Sequence, residues 1–304
     1  MWAVIARAQR ALAIALQPQP IVRLAAVRIL APLAILGFMS SRILHADDWL
    51  SDAGFRVPAI ADWRQPLSLP GLPVWAAWMV GAALAVAAVA TSVGVATRWS
   101  SGALAALLAY VALADRLAAF TVSKLAPVIA LALYLSPSGA ACSIDAWWRR
   151  RRDPVVARAT QVSGGCVAFF QVLLPTFYFS SGWCKASGDW LTDRHVLWTH
   201  LHDSYQTQLS WLLANHVPGW AWTALQAAVL AFECGAPLWF GWRGTRRYAL
   251  GFGAAMHLMI GLMFGPVIWF SLLMLCLLIA SYAPATWLAR ALDRGAAPSS
   301  LLST

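Results

Sequence analysis

The sequence predicts an all-α, polytopic helical membrane protein, with about eight transmembrane helices and an N-terminal interfacial amphipathic helix. Three observations carry that reading. Hydrophobic residues make up 61% of the 304 and charged residues only 11%, with a mean hydropathy of +0.66, more apolar than a soluble domain requires. The apolar residues fall in runs near the ~20 residues that span a bilayer. The arginines gather in the short links between those runs. A net charge of +10 without a base-reading or phosphate-binding stripe fits orientation in a membrane and excludes nucleic acid as the partner.

Residues 1–18 form the interfacial helix. Within it Arg7, Arg10 and Gln17 share one face, and Trp2, Ile5, Leu12 and Leu16 the other, the pattern of a helix lying on the bilayer surface. Its two arginines break the apolar core that a signal peptide requires, so no cleavage is expected. A transmembrane domain of 19–284 follows, with apolar runs at 21–44, 74–95, 100–119, 122–137, 160–183, 219–241, 247–264 and 266–283. Asp115-Arg116 separates the third run from the fourth and Gly265-Pro266 the last two, so both pairs read as tight hairpins, and seven spans is the alternative count. Residues 285–304 are a cytoplasmic tail. With the N-terminus inside, 15 of the 22 basic residues are cytoplasmic, Arg28 and the run Arg149 to Arg152 among them. That bias places both termini in the cytoplasm of a bacterial-type inner membrane. The long outer connections are then 45–73 and 184–218.

The second of these holds the residues with chemistry. Only Lys124 and Lys185 are lysine, and an amine can act as a base where arginine cannot. Lys185 ends an apolar run, a place where a lysine can simply snorkel to the headgroups. Its neighbours suggest more: Gly182 permits a close helix approach, and Tyr178, Trp183 and Trp190 could enclose a partly dry vestibule in which a desolvated amine becomes a base. Downstream, His195, His200 and His202 precede Asp203. They are weak metal candidates, because two helical turns separate His195 from His202 by about 10 Å, and interfacial polar histidines are the alternative. The five cysteines show neither CxxC nor zinc spacing, so no disulfide framework is expected. Glu233 and His257 lie inside apolar runs, about ten residues either side of the turn at 243–247. Equal depth predicts a direct contact, either a structural clasp or part of a proton path.

The segment Tyr178-Phe179-x-x-Gly182-x-x-Lys185-x-x-x-Asp189-Trp190 resembles the signature of the HTTM superfamily, the membrane domain of vitamin K-dependent gamma-carboxylases. Ser143-Ile144-Asp145, Glu233, and His257 with Phe264 and Ser271 resemble the family in the same order, and the likeness covers about 23–283. The resemblance implies an outward-facing site in which Lys185 is the base for a reduced quinone, with His257 and Glu233 as supporting catalytic residues. Tyr178, Gly182, Trp183 and Trp190 would line the quinone site. Two departures stand out. The asparagine-histidine pair of animal-type carboxylases falls at Thr121-Val122, and the chain ends at Thr304 without the large luminal domain that grips carboxylase substrates. Carboxylation of a protein is therefore not expected. Single-domain bacterial relatives resemble instead a membrane component that helps to mature a secreted sporulation-delaying toxin peptide. The resemblance thus implies a maturation or modification factor acting on a lipid, quinone or exported peptide. The alternatives are a quinol epoxidase or carboxylase, and a non-catalytic membrane partner or scaffold protein.

Overall fold

Helices follow one another along nearly the whole chain. The structure is a computed structural model and describes residues 13, 16–55, 69–114, 120–155 and 158–293. The expected interfacial helix falls almost entirely outside these residues, as do Asp115-Arg116 and the end of the expected tail. In chain order the helices are α1 (Val22–Ile43), α2 (Ala46–Leu50), α3 (Val74–Val93), α4 (Thr97–Ala114), α5 (Thr121–Leu135) and α6 (Ile144–Arg152). They continue with α7 (Gly164–Ala186), α8 (Val196–His200), α9 (Gln208–His216), α10 (Gly219–Gly241), α11 (Arg246–Met263), α12 (Ile268–Tyr282) and α13 (Ala285–Asp293). The only described strands, β1 (Gln19–Pro20) and β2 (Gln161–Val162), form a two-residue antiparallel pair.

Five segments are long and apolar enough to cross a membrane: Val22–Ile43, Val74–Val93, Gly164–Ala186, Gly219–Gly241 and Gly265–Tyr282. The other three predicted runs are also helical, as α4, α5 and α11, but they are shorter or more polar. Prolines 32, 127, 175 and 237 stand inside α1, α5, α7 and α10. Such prolines are tolerated in apolar helices when a neighbour serves the carbonyl left without a donor four residues back. Pro175 frees the carbonyl of Gln171 in this way, and the Tyr282 hydroxyl donates to that oxygen at 2.5 Å.

The chain divides into two compact units, Pro18–Cys166 with Ala285–Thr304, and Met1–Gln17 with Val167–Pro284. In the first, α3 stops at Gly94, a left-handed cap with φ +77° whose N–H returns to Ala90 O at 2.9 Å, a conformation glycine adopts without penalty. The next helix, α4, is started by a distant acid. Asp145 accepts from the Ala96 N–H at 2.9 Å with Oδ1, and from the Thr97 N–H and hydroxyl at 2.7 Å each with Oδ2. Ser143 caps α6 by accepting the Ala146 N–H at 2.9 Å, which fixes Asp145 in that helix's first turn. Behind this turn Arg28 is fully buried. Its guanidinium donates to the carbonyls of Thr91 at 3.1 Å and Ser92 at 2.5 Å, and to Cys142 O. Two of these carbonyls belong to the last turn of α3, where a cation is favoured by the helix dipole.

In the second unit the connection expected as a loop from 184 is largely helical. The α7 helix runs on to Ala186, so Lys185 stands in its last turn rather than at the start of a loop. Thr207 begins α9 with a reciprocal cap to Ser210, and its hydroxyl donates to Leu262 O at 3.0 Å. That bond, with the Gln206–Phe264 bridge, ties the connection to the end of α11.

Candidate functional site

Lys185 and Glu233 form a close ion pair. The lysine Nζ donates to both carboxylate oxygens at 2.6 Å, with side-chain exposures of 26% for Lys185 and 6% for Glu233. Gly182 brings them together. A Cβ built there would lie 2.7 Å from Cys234 N and 2.9 Å from the Glu233 carbonyl carbon, so α7 and α10 touch backbone to backbone one turn before Lys185. Pro237 adds to this, because it has no N–H to offer the Glu233 carbonyl four residues back. Glu233 is the single glutamate of the sequence, and its charge is matched by one of only two lysines.

Trp190 completes the cation's surroundings, with the ammonium 4.8 Å from its ring centroid, within the range of a cation–π attraction. The ring is held there by a residue that sequence reasoning passed over. Gln226, buried in α10, donates to Trp190 O at 2.9 Å and Asp193 O at 2.7 Å, and accepts the Leu197 N–H at 3.1 Å. It staples the 190–197 segment to the helix. The signal was available: a lone amide inside an apolar run obeys the same rule that singled out Glu233.

Lys185, Trp190 and Glu233 line a cavity of about 600 Å³, within the range of small-molecule sites. Its walls come from one face of α10, including Trp222, Leu225 and Val229, and from Phe252, Met256, Met259 and Met263 on α11. His200 and Asp203 are its exposed polar members. The indole N–H of Trp222, a residue only 4% exposed, has no hydrogen-bond partner, which leaves an unused donor in an apolar wall. An ammonium and a carboxylate on the same wall supply a proton donor beside a proton acceptor.

The other expected site residues divide. Tyr178 and His257 meet: the hydroxyl and Nε2 are 2.7 Å apart, both residues are buried, and Nδ1 of His257 has no partner. The expected Glu233–His257 contact is thereby corrected. Both oxygens of Glu233 are taken by Lys185, and the hydrogen-bonded nitrogen of His257 faces Tyr178. Trp183 is 63% exposed and stacks on Phe179 with ring centroids 6.3 Å apart, away from the cavity lining. His195, His200 and His202 do not converge. His195 precedes α8, His200 lines the cavity, and His202 lies tilted against Trp198 with ring centroids 4.2 Å apart. Among the described residues no three His, Cys, Asp or Glu side chains gather as metal ligands would.

The profile of the HTTM domain matches residues 16–287. The chain belongs to the HTTM family. No curated protein and no solved structure matches it. With five segments able to cross a bilayer, this HTTM protein is an integral membrane protein. The matched region includes the ion pair, the Tyr178–His257 pair and the whole cavity lining.

Proposed function

We propose that this HTTM protein is an eight-span factor of a bacterial-type cytoplasmic membrane, with both termini inside and the N-terminal helix on the inner surface. Its Lys185-centred site, on the outer side, holds and modifies a lipid, a quinone or an exported peptide. The observation that carries the proposal is the Lys185–Glu233 pair on the wall of a largely apolar cavity. Drawing a buried carboxylate and a half-buried ammonium to an apolar wall is costly, and packed apolar residues of the same size are often as stable or more so. Their placement there supports a chemical task.

The residues fit a reduced quinone. Trp190 and Trp222 would hold its ring and the methionines of α11 its tail, and when bound it supplies an oxidisable phenolic hydroxyl. Lys185 and Glu233 accept and pass on a proton, Trp190 steadies the ammonium, and the apolar walls keep water from the exchange. Tyr178 and His257 lie buried behind the pair and orient α7 against α11.

The test is quinol consumption by the purified protein with oxygen present. Wild type is expected to consume a reduced naphthoquinone, and Lys185→Ala and Lys185→Arg to lose about a hundredfold or more, the contribution of one general base. An active Lys185→Arg variant would return Lys185 to a structural ion pair and favour the non-catalytic partner reading. No consumption by wild type would remove the quinol epoxidase or carboxylase branch.

A further inference from the structure

The first unit, apart from the lysine site, contains a polar pocket and an apolar groove that meet at one residue. The polar pocket, about 420 Å³, is lined by Arg98, Arg149, Ser136, Ser138, Thr97 and Asp145. The groove, about 650 Å³, runs along α4 and α5 past Ala103, Ala106, Ala109, Pro127, Val128 and Leu131. Tyr134 lines both. Alanines at 103, 106 and 109 repeat on one face of α4 with Gly102 and Ala105 beside them, and their small side chains leave a trough against α5.

We infer that these two spaces form one site for an anionic phospholipid, with the phosphate at Arg98 and Arg149 and an acyl chain along the alanine trough. Charge and shape agree on that occupant. Among the described residues neither guanidinium forms a salt bridge. Arg149 spends one N–H on Gly139 O at 2.8 Å, and Arg98 stands 5.8 Å from the Tyr134 ring centroid, so most of their donors remain for a ligand, and a guanidinium fork suits a phosphate. The one carboxylate in the pocket keeps its charge, which the two guanidiniums outnumber. Both oxygens of Asp145 are already taken by donors of Ala96 and Thr97. Arg150, Arg151 and Arg152 follow directly in α6. Trp99, largely exposed, and Trp147 and Trp148, about half exposed, flank the two arginines with the indoles typical of the headgroup level. A merely solvated basic face would need no apolar trough opening from it.

The inference is independent of the quinol reading. Its test is retention of lipid by the full-length protein in neutral detergent, read by native mass spectrometry after titration with phosphatidylglycerol or phosphatidylcholine. Wild type is expected to keep phosphatidylglycerol at concentrations where phosphatidylcholine is lost. Arg98→Gln with Arg149→Gln should weaken that binding about thirtyfold, the effect of removing two interfacial basic residues. Ala106→Phe, which fills the trough and leaves every charge in place, should weaken it too, and inorganic phosphate should not displace the lipid. Equal retention of both lipids, or retention unchanged in both variants, would overturn the inference. Displacement by inorganic phosphate would overturn it equally, since it would mark a small-anion site. Ala106 is exposed to the trough, so its variant tests the site without disturbing the packed core.

Discussion

Arg28 and Lys185 are two cations drawn into apolar helices, and they are stabilised in different ways. Arg28 is fully buried and meets only backbone carbonyls, those of Thr91, Ser92 and Cys142. None of these groups can take a proton. Lys185 meets a carboxylate that can exchange protons, and the pair lines an apolar cavity. Burial of a cation is therefore not the signature of a chemical site. What distinguishes the lysine is a titratable partner and room for a ligand.

The comparison can be broken most forcefully at Arg28. Arg28→Lys keeps the charge but loses the planar fork that spans three carbonyls, and it should cost at least ~3 kcal/mol of stability in unfolding measured in detergent. The mirror exchange, Lys185→Arg, should spare the fold while abolishing turnover. A loss of stability as large at Lys185 as at Arg28 would erase the distinction.

Gly182→Val comes next, at about 1–3 kcal/mol, because a side chain would enter the backbone of Cys234 and force α7 from α10. Turnover should fall with it, as the Lys185–Glu233 distance opens. Unchanged turnover would show that the helix crossing does not position the pair.

The smallest effect concerns the turn beside Arg28 and appears only in acid. Burial pushes the Asp145 carboxyl up, but the N–H groups of Thr97 and Ala96, the Thr97 hydroxyl and the nearby Arg149 outweigh it, so the group sits below the ordinary aspartate range. Its folded value is thus lower than its unfolded value of ~3.9. The stabilisation is present above that unfolded value and is lost as pH falls through the folded one. Wild type should therefore lose stability below about pH 4, whereas Asp145→Asn should start less stable and lack that part of the pH dependence. Parallel curves for the two proteins would show that Asp145 does not set the turn.

Much of this was legible in the chain. Each of the eight apolar runs overlaps a helix, and five helical segments are long and apolar enough to cross a membrane, because length and composition decide whether a segment can satisfy its backbone within a bilayer. The signature residues drew attention to Lys185 for the same local reason, a rare amine beside a glycine and a tryptophan. Arg28 counted toward orientation, and the structure adds that it is an internal ligand of α3. One reading did not survive. Glu233 and His257 were paired by depth, and depth fixes only one coordinate.

By itself the sequence determined the helices, the membrane setting and the identity of the rare polar groups, since these depend on local pattern and on the cost of burying charge. The tertiary structure alone decided who meets whom. Rotation of each helix about its axis, the close crossing at Gly182 and the staple made by Gln226 gave Glu233 to Lys185 and His257 to Tyr178. The same crossings opened the cavity beside them. These are angular and long-range quantities, and a linear pattern of hydrophobic residues specifies them only through packing against the rest of the chain.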